Sequence, residues 1–308
     1  MSALAPAGSR LTGHPSRRRS ELAVKALLVA ASATSVLISV AIVLSLVFEA
    51  VSFLASIDLG ALAAPGWFPR RGMYDMATLL AGTAIVTLVA IGIGAPIGLA
   101  SAIYLSEYAS PRVRSIVKPT LEILAGIPSV VLGFFALTWI SPHVVQAIFA
   151  DAKGFSLLAA GIGVGILTVP LVASVSEDAM RAVPRALREA SYGLGAKRVT
   201  TSLQVVVPAA ISGIVAAIIL AISRAVGETM VVAVAAGASG GSLFTLDPTG
   251  PGQTLTAAMA SLASGSDQVT GDSSAFLSLF FLGFVLFAMT LGLNVIGDVF
   301  VRRTRQRY

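Results

Sequence analysis

The sequence predicts an all-α, polytopic membrane protein with about six transmembrane helices, and three observations carry that reading. Of its 308 residues 56% are hydrophobic and 12% charged, with a mean hydropathy of +0.89. The apolar residues gather into six long runs, and Lys and Arg collect between alternate runs. Soluble domains are about one quarter charged, and a water-soluble fold of this size has too little interior to hide so much apolar surface. The excess must face lipid. The chain has no cysteine, which excludes a disulfide framework and a thiolate metal site.

The runs cover about 24–53, 77–105, 117–140, 155–176, 208–237 and 274–301. A span needs about 20 apolar residues to cross roughly 30 Å of hydrocarbon. Helices are the expected form because an unpaired backbone amide in lipid is costly. The runs are too long for barrel strands of about 10 residues. Residues 1–21 are polar and Arg-rich and are expected as a disordered cytoplasmic tail, with one transmembrane domain over 22–308. A cleaved signal peptide is the competing reading of the N-terminus. The run from Leu22 to Leu54, broken only by Lys25 and Glu49, is much longer than a signal peptide's apolar region of about 7–15 residues, so a retained span is favoured.

Orientation follows from the basic residues. With the N-terminus inside, the cytoplasmic set is Arg10, Arg17, Arg18, Arg19, Lys25, Arg112, Arg114, Lys118, Arg181, Arg185, Arg188, Lys197, Arg198, Arg302, Arg303, Arg305 and Arg307. Only Arg70, Arg71 and Lys153 fall outside, and Arg224 lies within a run. This bias predicts both termini in the cytoplasm. It also accounts for the net charge of +6 without invoking nucleic acid. The external loop over 238–273 is rich in Gly and Ser, with Asp247, Asp267 and Asp272. His14 falls in the tail and His143 in a short external loop beside Pro142, and neither has partners at metal-ligand spacing.

The internal loop over 177–207 carries charge at helical spacing and reads as cytoplasmic helices. Its centre runs from Arg188 through Glu189, Ala190, Ser191, Tyr192, Gly193, Leu194 and Gly195 to Lys197 and Arg198. It looks like two short helices meeting at Gly193 or Gly195, with Pro184 near the first helix start and Pro208 at the entry to the fifth span. An ordinary pair of interfacial amphipathic helices is the competing reading.

The fifth run contains the string Ser223-Arg224-Ala225-Val226-Gly227-Glu228-Thr229-Met230. A mid-span Arg costs about 2.5–3.5 kcal/mol on insertion scales. Glu228 is four residues on, one helical turn away, and is expected on the same face. Both should look into the bundle or a water-filled path. One reading is an ion pair that fixes helix register. The other is an oxyanion site, because a guanidinium fork matches phosphate geometry. Glu122 sits near the cytoplasmic end of the third run, where an interfacial acid and a path-lining acid are both open readings. Pro128, Pro96 and Pro170 are candidates for kinks. The strings Gly92-x-Gly94 and Gly161-x-Gly163-x-Gly165 lie in apolar runs with no strand before them, so close helix packing is expected rather than nucleotide binding.

Two of these segments carry a family resemblance. Glu189, Ala190, Gly195, Val205, Val207 and Pro208 match the Glu-Ala-Ala loop of the membrane subunits of bacterial ABC importers, with Ser191 where Ala is usual. The string from Ser223 to Met230, the segment Leu121 to Gly133 with its Ala-Gly-Ile-Pro-Ser core, and the stretch from Ala102 to Pro111 resemble phosphate-specific permeases of the PstC type. The resemblance covers about residues 78–235 and implies a MetI-like type I importer permease fold in the bacterial inner membrane. It implies that Glu189, Ala190, Gly193 and Gly195 dock on an ATPase dimer (PstB-like), and that Arg224, Glu228 and Glu122 line the substrate path. It further implies a second permease (PstA-like), an external phosphate-binding protein (PstS-like) and no cofactor. The chain has no Gly-x-x-x-x-Gly-Lys-[Ser/Thr] loop, so any ATP hydrolysis belongs to a partner. A PstA-type role or a sulfate or molybdate substrate is the nearest alternative. An intramembrane enzyme is a remote one, for no His-Glu-x-x-His or Gly-x-Ser-x-Gly string is present. A channel or scaffold is disfavoured, because neither needs an ATPase dock.

Overall fold

The computed structural model describes residues 15–237, 240–265 and 273–304. The chain divides into two units, one ending at Phe48 and one beginning at Glu49. The first is a single helix: α1 spans Pro15–Ser56, and its side chains from Glu21 to Ile42 are all exposed. A helix that is apolar all round suits lipid. The hydroxyls of Ser32, Thr34 and Ser39 donate to carbonyls one turn back at 2.9 Å, which satisfies them within the helix. Residues 15–21, expected in the disordered tail, belong to this helix, whereas Arg10 and His14 lie outside the described residues.

In the second unit the helices are α2 (Met76–Tyr108), α3 (Pro111–Ala125), α4 (Ser129–Ile148), α5 (Leu157–Arg181), α6 (Arg185–Gly193), α7 (Arg198–Ala209), α8 (Ile211–Val226), α9 (Met230–Ala235), α10 (Leu255–Ala263) and α11 (Ser273–Thr304). The α1, α2, α4, α5 and α11 helices are long and apolar enough to cross a membrane, and α7 with α8 forms a sixth candidate bent by 70°. The predicted six-span helical architecture therefore holds. A small antiparallel sheet supplements it: β1 (Gly66–Phe68) lies between β2 (Met73–Tyr74) and β3 (Ser242–Leu243), with Trp67 opposite both Tyr74 and Ser242.

The helix starts follow from local chemistry. Asp75 caps α2 by accepting from the amides of Ala77 and Thr78 at 3.0 and 3.2 Å. Ser110 and Ser156 cap α3 and α5 in the same way. Pro128 has no amide to give and disfavours helical dihedrals at Ile127, so it begins a helix instead of kinking one. This corrects the third predicted span. Residues 117–140 divide at Gly126–Pro128, leaving α3 as a separate amphipathic helix with no buried residue, and α4 as the crossing helix. His143 and Pro142, expected in a loop, sit inside α4 within a wide turn over Ala136–Val145. The fifth predicted span, 208–237, is likewise broken, at Ala210 and again at Gly227–Thr229. The 238–273 loop holds β3 and α10, while Asp267 and Asp272 lie outside the described residues.

The seam between α2 and α5 is a close approach built on glycines. Gly94 faces Gly165 and Thr168, Gly98 faces Val172, and Gly161 faces Val89. A Cβ on Gly98 or Gly161 would lie 2.6 or 2.7 Å from a valine Cβ. The expectation of small-residue packing is met, except at Gly92, which faces open space. Around this seam Val86, Ala90, Leu132, Ala136, Val164, Val231 and Ala235 form the central core. A second cluster joins Phe53, Trp67, Tyr74, Leu79, Leu255 and Leu282 beside the sheet. A third joins Ala102, Met180, Val206 and Ile214 at the other ends of α2 and α5. Thermal unfolding in detergent should show Gly98→Val destabilised by about 1–3 kcal/mol through overpacking, and Gly92→Ala unchanged or slightly stabilised.

Candidate functional site

The loop between α5 and α8 is built as two helices and one tight turn. The α6 helix ends in a left-handed cap. The amide of Gly195 donates to the Tyr192 carbonyl at 2.9 Å, and that of Ala196 to the Ser191 carbonyl at 3.1 Å. Gly195 has φ of +80°, which a side chain disfavours. Gly193, in contrast, is the last residue of α6 and has no positive φ. The sequence left the junction open between these two glycines, and the backbone places it at Gly195. Ser191, the departure from the family motif, shares a 2.9 Å hydrogen bond with Thr201 and ties α6 to α7.

One face of this pair meets nothing among the described residues. Glu189, Ala190, Gly193 and Gly195 are all exposed, and Leu194 at the turn is 90% exposed, with Tyr192, Val199 and Leu203 also open. The other face is anchored through charge. Arg188 donates to Glu107 Oε1 at 2.9 Å and to the carbonyls of Met180 and Val183 at 2.9 and 2.8 Å. Arg198 donates to the Glu107 carbonyl and stacks its guanidinium on Tyr108 at 5.0 Å. Neighbouring residues on α6 thus do opposite things: Arg188 points to the bundle, Glu189 away from it.

A second buried acid serves the same layer. Glu177, fully buried at the end of α5, pairs with Arg114 at 2.6 Å and Lys118 at 2.8 Å, and Asp178 pairs with Lys118 at 2.7 Å. These bonds hold α3, which buries no apolar residue of its own. The hydrogen bond that Lys118 donates to Asp178, followed by the one it donates to Glu177, raises its amine above the usual 10.5. A raised base stabilises the fold fully below its unfolded value, so this contribution is lost only as pH rises through the raised value. Sequence reading missed the roles of Glu107 and Glu177. The available signal was that each is an acid at the end of a long apolar run.

Two of the family-like strings come together. Gly133, on α4, packs on the start of α9, where a Cβ would lie 3.0 Å from both the Met230 carbonyl and Val231 Cα. The charged pair differs from the expectation. The α8 helix stops at Val226, so Arg224 and Glu228 are not on one continuous helical face. The Glu228 carboxylate instead accepts from the amides of Met230 and Val231 at 3.2 and 3.4 Å, capping α9, and its carbonyl accepts from Thr256 at 2.7 Å. Arg224 is exposed, and among the described residues it forms no ion pair with Glu228. Glu122 is exposed on α3, apart from both, and not at the end of a span.

Replacing Gly195 with Ala should strain the turn by about 1–2 kcal/mol. Hydrogen exchange at Gly195 and Ala196 should then accelerate. Gly193→Ala, at a position with open space around it, should leave those amides protected.

The comparisons with known proteins agree with this geometry. The family described as the binding-protein-dependent transport system inner membrane component matches residues 94–307. The chain is 32% identical over 255 residues to "Phosphate transport system permease protein PstC 1" of Mycobacterium tuberculosis, covering 76% of this chain and 74% of that one. It is 38% identical over 173 residues to "Probable ABC transporter permease protein YqgH" of Bacillus subtilis, spanning 56% of each. It is 36% identical over 175 residues to "Phosphate transport system permease protein PstA 1" of Mycobacterium tuberculosis, covering 56% of this chain and 54% of the relative. Among solved structures, an inward-facing conformation of the MetNI methionine ABC transporter shares the fold with a TM-score of 0.52 at 21% identity, covering 74% of this chain and 94% of that one. Six candidate spans, a bent fifth span preceded by an anchored loop, and these matches together make the chain a member of the binding-protein-dependent transport inner-membrane component family, a transport subunit rather than an enzyme.

Proposed function

We propose that this chain is the PstC-type permease subunit of an ATP-driven importer of inorganic phosphate in the bacterial inner membrane, with both termini cytoplasmic. The observation that carries the transport reading is Arg224: an exposed guanidinium near the end of an apolar helix, with no ion pair to a carboxylate among the described residues. Such a group is costly against lipid and calls for water, an anion or a second subunit. In this reading Arg224 meets phosphate in a path shared with a PstA-like permease. Glu228 acts through the backbone, holding the start of α9 and the break at Gly227 in place. Glu122 has less support as a path residue, since it lies on the separate α3.

The open face of α6 and α7 supports the assembly. Glu189, Ala190, Gly193 and Gly195 have the exposure of a dock for a PstB-like ATPase dimer, and the chain itself carries no nucleotide loop. A PstS-like protein would deliver phosphate on the opposite side, where the charge bias places the small sheet. ATP-driven closure of the ATPases would push on α6 and α7, and alternating access would follow. The relative named PstC aligns over more of its length than the one named PstA, which favours the PstC role.

In cells lacking other phosphate importers, Arg224→Gln should lower phosphate uptake about tenfold or more at normal membrane levels, the scale of losing a hydrogen bond to a charged group. Wild-type uptake would refute the path assignment. Gly195→Asp should abolish co-purification of the ATPase. Stimulation of ATP hydrolysis in the reconstituted complex by phosphate, but not by sulfate or molybdate, would fix the substrate; the reverse would reassign it.

A further inference from the structure

The α6 helix has no fully buried residue and meets the apolar core through half-buried Leu187. A fork of charge also holds it. The Glu107 side chain is 4% exposed and that of Arg188 17%. One guanidinium reaches Glu107 on α2 and the Met180 and Val183 carbonyls at the end of α5. Ser106 donates to the same Glu107 oxygen at 2.9 Å. The last turn of α2 is wide, with the Ala109 amide reaching the Tyr104 carbonyl at 2.8 Å, and it carries Glu107 inward. The Glu107 backbone is also held by Arg198 of α7. Both helices of the dock are thus fastened to one residue at the end of α2.

We propose that Glu107 is a positioning residue for energy coupling: through Arg188 it makes α6 and α2 move as one body, so that displacement of the dock reaches the membrane helices. The proposal rests on the reading of α6 as the ATPase dock. A rigid link serves there because the half-buried Leu187 contact is non-directional and does not by itself fix α6 against α2. A bidentate-capable guanidinium on a nearly dry carboxylate supplies it, whereas an exposed pair would be loose and screened. Removing either partner strands the other in a buried place, which favours release of α6.

The chain contains no cysteine, so Leu88→Cys on the exposed flank of α2 and Ala186→Cys on α6 take spin labels uniquely. In the purified complex with its ATPase, the parent pair should keep one narrow distance with and without ATP. Glu107→Gln and Arg188→Lys should each broaden it. They should also raise the ATP hydrolysed per phosphate imported by about tenfold, with the ATPase still co-purifying. If Glu107→Gln fails to reach the membrane, Arg188→Lys, which keeps the charge but not the fork, carries the same readouts. A distance unchanged by the variants overturns the clamp whether or not phosphate is imported. A broadened distance with an unchanged transport ratio overturns its role in coupling. A parent complex that imports no phosphate refutes the proposed substrate instead, and the distance measurement still decides the clamp.

Discussion

The glycine seam between α2 and α5 is the contact from which the rest of the second unit hangs. Without side chains at Gly94, Gly98, Gly161 and Gly165, the two helices approach until each meets the other's backbone or β-branched side chains. In lipid this close fit is the main attraction available, since the apolar flanks gain nothing by leaving acyl chains. The seam also aligns the ends of the two helices. At one end stand Glu107 and Glu177, and at the other the Asp75 and Ser156 caps.

From that alignment the charged layer follows. Two buried carboxylates, one per seam helix, gather bases from two elements that bury no residue of their own, α3 and α6. Glu177 holds α3 through Arg114 and Lys118, and Glu107 holds α6 through Arg188. Buried charge is expensive unless paired, and here each acid has its partners within 3 Å. The result is a layer with one side locked to the bundle and the other side open. The open side carries Leu194, Tyr192 and Glu189, which are exposed among the described residues.

The α8–α9 region shows a different use of charge. The break at Gly227–Thr229 exposes the amides of Met230 and Val231, and Glu228 satisfies them. That bond takes the acid away from Arg224, which is then free to meet something outside the chain. Gly133 closes on the same turn from α4, so the break is buttressed rather than loose. An irregular backbone at membrane depth needs such support, because lipid offers no hydrogen bonds.

The sequence by itself determined the number and apolarity of the spans, the helical character of the 177–207 loop and the dense packing of the glycine strings, because each depends on local composition or on spacing within one segment. The motif residues Glu189, Ala190 and Gly195 were legible for the same reason. Only the tertiary structure decided where helices stop and which charges meet. Pro128 reads as a kink in the sequence, and the structure makes it a helix start. Glu228 pairs with amides and not with Arg224, because the helix ends two residues after that arginine. Glu107 and Arg188 lie 81 residues apart. No periodicity joins them; only the seam, by setting the ends of α2 and α5 side by side, brings that acid within reach of that base.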